Sequence, residues 1–247
     1  MKVVLLRVGI DTGAGGMHGP LIDAENHYEY IPIPDDKYEI DERTYGETNG
    51  MLRKQPLIEY FPKKTQEDNA NKPIHYDPEF ETFTYGDPTS LKGRLRELEK
   101  GDLLIFYCGL EGFGGHKTET ADLYLFAYFE VELAGYAKDL IRELGEKKFK
   151  EVFAKNYYVL HDSVFKEQKE ELVLVKGNPK RSRILERAIK FSKKGENKAG
   201  EPMNVISDEM QKRFGDFKGK IGFPRSSPRW VVDTHIDNAT QYVKSLK

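Results

Sequence analysis

Residues 102–110 read DLLIFYCGL, and residues 123–133 read LYLFAYFEVEL. Both runs are dense in aliphatic and aromatic side chains, which is typical of strands buried inside a protein. The glycine-rich segment 111–116 between them favours a reversal of the chain, so the two runs predict a hairpin with a broad loop. Residues 2–8 (KVVLLRV) predict a further buried strand, whose apolar run is interrupted by the charged residue Arg7.

The remaining segments predict helices around this sheet. Apolar spacing predicts helices over 91–100, 138–155, 182–191 and about 237–246, with Ser182 as an N-cap. Short apolar runs predict strands at 28–33, 157–160 and 172–175. Residues 34–88, rich in Pro, Asp, Asn and Tyr, predict a long elaborated loop with one short helix, and the charged segment 192–200 predicts an exposed loop. The chain shows neither an internal repeat nor a long linker, so we expect one domain over residues 1–247.

Composition limits the classes of function. The 39 Lys and Arg residues are balanced by 41 Asp and Glu residues, so any nucleic-acid surface must be a local patch. The single Cys108 excludes an internal disulfide and a multi-cysteine zinc cluster. No apolar run approaches the roughly 18 residues of a membrane span, and no signal-like start is present, so the cytoplasm is the expected location. Abundant Lys and Glu with few Gln suit a thermophilic protein.

The turn GIDTGAGG at residues 9–16 follows the first strand directly. Backbone N–H groups of such a turn can form an anion-binding nest, which makes Thr12, Gly15 and Gly16 candidates for holding a phosphate. Asp11 is the candidate base, or a carboxylate that recognises a hydroxyl group. The alternative is a tight connection that happens to be rich in glycine, because no known phosphate-loop motif is present in register.

The segment HYDPEFETFTYGD at residues 75–87 carries one imidazole and several carboxyl groups. His75 and Asp77 share one side of an extended segment, since side chains alternate along it. Such a pair is able to act as acid and base. Its spacing matches no zinc signature, so we expect no metal. The alternative is a solvated polar loop with aromatic anchors.

Two further segments are candidates for binding phosphate. Residues 175–182 (VKGNPKRS) place Lys176 ahead of the predicted helix, where free helical N–H groups favour anions. Residues 221–230 (IGFPRSSPRW) hold Arg225, Ser226, Arg229 and Trp230; hydroxyl and guanidinium groups suit phosphate, and Trp can stack on a base. The alternatives are exposed charges in the first segment and, in the second, a Trp that fills the core.

One stretch resembles the helix–GD–strand–strand order of PUA-like domains of the ASCH, EVE and YTH groups. It consists of Leu95, Leu98, Gly101 and Asp102, followed by the two long strands. That resemblance covers about a fifth of the chain. It implies an RNA- or modified-base-binding barrel. We therefore expect an α+β fold, either a mixed, mostly antiparallel twisted sheet or a partly closed PUA-like β-barrel, with peripheral helices.

Nearly the whole chain is similar to the third of the nucleotide modification associated domain families. The motifs that carry this similarity are LRVGIDTGAGG, IPIPDD, TYG at 44–46, HYDPEFETFTYGD, LEKGDLLIFYCGL, LVKGNPKRS and PRSSPRW. The resemblance implies one domain that acts on, or recognises, nucleotides or bases beside DNA-modification systems, and it assigns no catalytic roles. The polar positions inside these motifs are Asp11, Thr12, His75, Asp77, Glu79, Tyr85, Asp87, Lys176, Arg225 and Arg229.

The leading hypothesis is therefore a protein of nucleotide or DNA-base modification that holds a nucleotide or base in a polar pocket. In an enzyme, Asp11 or Asp77 would be the base, and Arg225 and Lys176 would hold the phosphate. A second hypothesis is a non-catalytic, PUA-like reader of modified bases in RNA or DNA, with Trp230 or Tyr107 stacking on the base. A third is an interaction protein without a small-molecule site. No residue pattern specifies a cofactor, an oligomeric state or a reaction.

Overall fold

The computed structural model describes residues 1–196, 199–220, 222–223 and 227–246. The described strands are β1 (Val3–Arg7), β2 (Gly19–Leu21), β3 (Ile33–Pro34), β4 (Ile74–His75), β5 (Thr84–Asp87), β6 (Leu103–Gly112), β7 (Asp122–Tyr136), β8 (Val173–Gly177), β9 (Arg183–Lys190), β10 (Ser192–Glu196), β11 (Pro202–Ile206) and β12 (Arg229–Trp230). The described helices are α1 (Lys63–Ala70), α2 (Ala137–Leu144), α3 (Glu146–Val152), α4 (Tyr157–Leu160), α5 (Asp162–Gln168), α6 (Asp208–Phe214) and α7 (Ile236–Ser245), with 3₁₀ turns at Leu57–Tyr60, Ser90–Glu97 and Asp233–His235.

One eight-stranded sheet organises the molecule. Its strand order is β12-β1-β6-β7-β8-β5, with β2 paired to β6 and β9 paired to β7. Strands β1 and β2 run parallel to β6, and the other pairs of this sheet are antiparallel. The predicted α+β class and mostly antiparallel sheet are confirmed. The sheet does not close into a barrel, so the PUA-like form of the prediction is not confirmed.

The predicted hairpin is the centre of this sheet. Strands β6 and β7 pair from Leu103 opposite Glu130 to Leu110 opposite Asp122. Both faces of the hairpin are covered by side chains, which explains why its sequence is continuously apolar instead of alternating with polar residues. One face packs the core around Phe106, Phe126 and Phe129, and the opposite face packs around Tyr107, Phe191 and Phe214.

The segment 182–191 forms strand β9, so the predicted helix there was wrong. Its buried residues Leu185 and Ala188 are three positions apart, which imitates a helical face. The spacing has a different cause, because β9 carries extra residues where Leu125 and Ala127 of β7 meet Ile189 and Ile184. Such a bulge interrupts the two-residue alternation of a strand.

Several other boundaries differ from the sequence predictions. The segment 157–160, predicted as a strand, is helix α4, because Asn156 caps its first turn through a side-chain bond to the N–H of Tyr158. The charged segment 192–200 contributes a strand of the β10–β11 hairpin. Residues 138–155 form two helices separated at Gly145, residues 91–100 are largely a 3₁₀ turn, and the predicted strand at 28–33 is reduced to its last residue in β3. The C-terminal helix is confirmed as α7.

The long segment 34–88 is folded onto the sheet and not loose. The carboxylate of Glu29 is fully buried and accepts N–H bonds from Met51, Leu52 and Arg53 at 3.0, 3.0 and 2.8 Å. The hydroxyl of Tyr45 donates to the carbonyl of Pro32 at 2.8 Å. These bonds fix the irregular backbone, and the segment then supplies β4 and β5 to one side of the molecule.

Candidate functional site

A polar cavity of about 320 Å³ lies where the end of β1, strands β3, β4 and β5, and helix α4 come together. Strand β5 reaches this place by pairing with β8, and β4 by pairing with β3. The residues that line the cavity are Arg7, Val8, Gly9, Ile33, His75, Asp77, Tyr85, Gly86, Asp87, Lys92 and Tyr158.

Asp77 is the buried carboxyl group of the cavity. Its two oxygens lie 3.1 and 3.0 Å from the backbone N–H of Gly86, and Oδ1 accepts a hydrogen bond of 3.1 Å from the side-chain amide of Asn156. Burial raises the pKa of Asp77 well above its usual range, and the nearby carboxyl of Asp87 adds to the rise, while the Gly86 bond opposes it. Asp77 therefore carries a proton at pH values where an exposed aspartate is ionised.

Gly86 allows this arrangement because its neighbours pack directly on its backbone. A Cβ at this position would lie 2.9 Å from Cδ2 of Tyr158 and 3.1 Å from Oδ1 of Asn156. The absence of a side chain brings the N–H of Gly86 against the carboxyl of Asp77 and brings α4 against β5.

His75 forms a second neutral group of the cavity. Its imidazole packs against the rings of Tyr157 and Tyr158, with centroid distances of 4.0 and 5.3 Å. Burial lowers the pKa of His75 to about 4, although the carboxyl groups of Asp35 and Asp87 oppose the shift. At neutral pH the ring is uncharged, so one ring nitrogen donates and the other accepts.

Asp87 and Lys92 form an ion pair at the side of the cavity. The Nζ of Lys92 lies 2.7 Å from Oδ2 of Asp87, and both side chains are largely buried. The hydroxyl of Tyr85 donates to the same carboxylate oxygen at 3.0 Å, and the N–H of Thr89 donates to the other oxygen at 2.7 Å. Burial also raises the pKa of Tyr85 well above its usual range, so this hydroxyl keeps its proton.

The cavity combines two carboxyl groups in different environments. Within the described ranges Asp77 forms no ion pair and is held by neutral donors, whereas Asp87 is paired with Lys92. Different environments separate the roles of two neighbouring carboxyl groups, one as a proton donor and one as an anion. Among the described residues, no group of three or more His, Cys, Asp or Glu side chains is placed to hold a metal ion.

Two of the three predicted catalytic residues, His75 and Asp77, line this cavity, and Asp11 lies beside it. Asp11 is buried, and its carboxylate accepts the N–H of Gly13 at 2.8 Å and lies 3.4 Å from Nη2 of Arg7. Because Arg7 belongs to the cavity wall, Asp11 is connected to the cavity through this ion pair.

Apart from Gly9, the glycine turn at residues 9–16 does not line the cavity. The N–H groups of Ala14 and Gly16 both donate to the carbonyl of Asp11 at 3.0 Å, and Thr12 and Gly16 are exposed. Gly15 packs against Ile10. Those two N–H groups are thus already bonded inside the turn, which is the geometry of a tight connection.

The other predicted phosphate-binding residues lie elsewhere. Lys176 belongs to β8 and its Nζ donates to the carbonyl of Thr82; the chain continues into β9, so the predicted helix N-terminus beside it was wrong. Arg229 and Trp230 form β12 beside β1, and the Trp230 ring packs under Arg94 at 4.6 Å. Arg225 and Ser226 lie outside the described residues.

Sequence reasoning did not include Lys92, Asn156 and Tyr158 among the site residues. Lys92 was part of a segment predicted as an ordinary helix, and Asn156 and Tyr158 are about 80 residues from the HYDPEFETFTYGD motif that they contact. The sequence feature that did point to this cavity is the acid-rich motif HYDPEFETFTYGD, which contains both Asp77 and Asp87.

The fold and the cavity define an α+β protein with a single large sheet and a polar, partly neutral cavity at one side of it. The chain belongs to the family described as nucleotide modification associated domain 3, whose model matches residues 2–244. The similarity seen in the sequence motifs is thereby confirmed. No curated protein and no solved structure matches the chain.

Proposed function

We propose that the protein holds the base or nucleoside part of a nucleotide in the cavity of His75, Asp77, Asp87 and Lys92, as a component of nucleotide or DNA-base modification. The observation that carries the proposal is the buried carboxyl of Asp77, whose pKa is raised by burial, in one cavity with the imidazole of His75, whose pKa is lowered. Membership of the nucleotide modification associated domain 3 family supports the same class of ligand.

The chemistry of the cavity suits a neutral polar ring. The edge of a nucleobase presents alternating donors and acceptors, and a carboxylic acid and a neutral imidazole both donate and accept. The Nζ of Lys92 is already paired with Asp87, so this cation of the wall is not reserved for a phosphate. The volume of about 320 Å³ lies at the lower end of the usual range for small-ligand sites, which favours a base or nucleoside over a longer ligand.

If the protein is catalytic, Asp77 is the proton donor, because burial raises its pKa and keeps the proton on the carboxyl group at pH values where an exposed aspartate is ionised. This assignment replaces the role of base that the sequence suggested for Asp77. His75, neutral and adjacent in the cavity, is then the acceptor for a proton from the ligand.

A reader of modified bases would use the same cavity. The stacking residues suggested by the sequence are both engaged: Tyr107 is fully buried against Phe191 and Phe223, and Trp230 is covered by Arg94. The aromatic side chains that reach a ligand in the cavity are Tyr85 and Tyr158. Turnover of a bound base, followed by chromatography of the products, separates the enzyme from the reader.

The proposal is tested by thermal unfolding with free bases, nucleosides, nucleotides and short single-stranded oligonucleotides. A compound that binds only the native state raises the melting temperature. We expect at least one nucleoside to do so in the wild-type protein and in an Asp139→Asn control on the exposed surface of α2, with a reduced effect in Asp77→Asn. Absence of any rise across the whole set, or an equal rise in Asp77→Asn, contradicts the proposal.

A further inference from the structure

Three buried hydrogen-bond donors, on β1 and its two neighbours β6 and β12, have no acceptor among the described residues. They are Nε of Arg7, the hydroxyl of Tyr107 and Nε of Arg229. A buried donor that has left water without finding an acceptor destabilises the fold, so native proteins rarely keep several together. The three donors therefore indicate a group that the protein binds.

The pairing of the strands brings the three side chains to one face. Arg7 of β1 lies directly opposite Tyr107 of β6, and Arg229 of β12 lies opposite Leu5, two residues before Arg7 on the same face. Side chains in directly opposite and diagonal positions of a sheet are neighbours. Leu5 and Tyr107 both belong to the core on this face, which confirms that they point to the same side.

Gly109 provides room beside this cluster. A Cβ at this position would lie 3.5 Å from Nη2 of Arg7 and 2.8 Å from Cδ2 of His18. The missing side chain leaves space for the guanidinium of Arg7 and for the imidazole of His18 at the end of β6.

The positive charges of Arg7 and Arg229 are only partly compensated by carboxylates among the described residues. Arg7 is paired with Asp11 at 3.4 Å, whereas Nη2 of Arg229 donates to the uncharged carbonyl of Gly222 at 2.6 Å. In the part of the chain that the structure describes, no carboxylate lies within ion-pair distance of Arg229. Both guanidinium groups act to lower the pKa of Tyr107 against the effect of its burial, so both positive charges act on its hydroxyl.

We propose that Arg7, Tyr107 and Arg229 form a binding site for a phosphate group. Guanidinium groups match the tetrahedral oxygens of phosphate through directed N–H bonds, and a neutral tyrosine hydroxyl adds a third donor. Tyr107 and Arg229 lie on the opposite face of the sheet from the core around Phe106, and Arg7 is the one residue that this site shares with the cavity. The site contains neither His75 nor Asp77, so it does not depend on the proposed binding of a base. The phosphate belongs to a free phosphate ion, a mononucleotide or a nucleic-acid backbone, and the probes below distinguish these sources.

Tyr107→Phe is the most informative variant. Without ligand its hydroxyl makes no hydrogen bond, so its removal leaves the melting temperature unchanged or slightly higher. With phosphate the lost donor weakens binding about 10-fold, as expected for one hydrogen bond to a charged group. If Tyr107→Phe only disturbed the packing of the core, its melting temperature would fall both with and without phosphate.

The experiment measures dissociation constants by calorimetry for inorganic phosphate, a nucleoside monophosphate and a single-stranded oligonucleotide. Arg229→Gln is compared with Arg94→Gln, whose guanidinium lies over the Trp230 ring. We expect about 10-fold weaker phosphate binding in Tyr107→Phe and Arg229→Gln, and no change in Arg94→Gln. Tighter binding of one organic probe than of inorganic phosphate identifies the source.

The same titrations separate this proposal from the proposed function. Inorganic phosphate has no base, so Asp77→Asn should bind it like the wild-type protein. If none of the three probes binds, or if Tyr107→Phe and Arg229→Gln bind them as tightly as the wild-type protein, the phosphate site does not exist. Binding of a nucleoside in the cavity would stand regardless of that result.

Discussion

The side-chain amide of Asn156 donates a hydrogen bond of 3.1 Å to the buried carboxyl of Asp77, which lies 79 residues earlier in the chain. The side-chain oxygen of the same Asn156 accepts the N–H of Tyr158 at 3.2 Å and so begins α4. One fully buried residue thereby orients the carboxyl group and positions a tyrosine of the cavity wall.

Replacement of Asn156 should therefore destabilise the fold more than an ordinary cap does. We expect Asn156→Ala to lower the free energy of unfolding by about 2–3 kcal/mol, since a helix cap contributes about 1 kcal/mol and a buried hydrogen bond about 1–2 kcal/mol. Urea denaturation measures the change. Asn178→Ala, which removes a 3.0 Å bond to Lys180 N–H in an exposed turn, is the control and should cost less than about 1 kcal/mol. Equal losses in the two variants would show that Asn156 has no special role.

Asp77→Asn should change how stability depends on pH. The folded-state pKa of Asp77 is raised above the unfolded value of 3.8, so the folded protein keeps a proton that the unfolded chain releases. Stability from this group is present below about pH 4 and declines as pH rises toward the folded pKa. Asparagine does not titrate, so the variant should gain melting temperature relative to wild type as pH rises above about 4. A difference that stays constant above that pH would mean that the pKa of Asp77 is not raised in the folded protein.

His75 should make stability depend on pH over the range between about 6.5 and about 4. Its folded-state pKa is about 4 against 6.5 for an exposed histidine, so the unfolded chain takes up a proton between these values and the folded protein does not. Stability therefore falls as pH decreases from 6.5 to 4, by up to about 3 kcal/mol on the scale of 1.36 kcal/mol per pH unit. His75→Gln should flatten this part of the stability profile measured by urea denaturation. His116→Gln, outside the cavity, serves as the control, and an unchanged profile in His75→Gln would rule out a buried neutral imidazole.

Strands β1, β6, β7 and β8 of the central sheet follow from local sequence, because each contains a continuously apolar run. Strand β9 did not, because its bulge against Leu125 and Ala127 places buried residues at a helix-like spacing. The site shows the same division. His75 and Asp77 stand close together in one motif, whereas Asn156 and Tyr158 reach them only through the packing of α4 against Gly86, which no local pattern encodes.

The Asp87–Lys92 ion pair should contribute measurably to stability, unlike the exposed pairs of the surface. Its two side chains are about 13 and 15% exposed, so removal of the lysine leaves a largely buried carboxylate without its cation. We expect Lys92→Met to cost about 2 kcal/mol and Asp87→Asn in the same chain to recover part of the loss.

A double-mutant cycle measures the coupling of that pair. The cycle for the exposed pair of Lys148 and Glu151 is the comparison, and should give about 0.5 kcal/mol or less. If the coupling between Lys92 and Asp87 is no larger than that of the exposed pair, solvent screens both pairs equally. Water would then reach Lys92 and Asp87 more than their low exposure indicates.

The most direct test of the cavity as a base-binding site is NMR titration of the labelled protein with the nucleosides used in thermal unfolding. The backbone amide of Gly86 and the side-chain amide of Asn156 both bond to Asp77 and report on its carboxyl group. We predict that a bound nucleoside shifts both resonances, in proportion to occupancy, while the side-chain amide of Asn178 stays in place. A nucleoside that binds without moving either resonance, or the absence of binding by any of them, would contradict the assignment of this cavity.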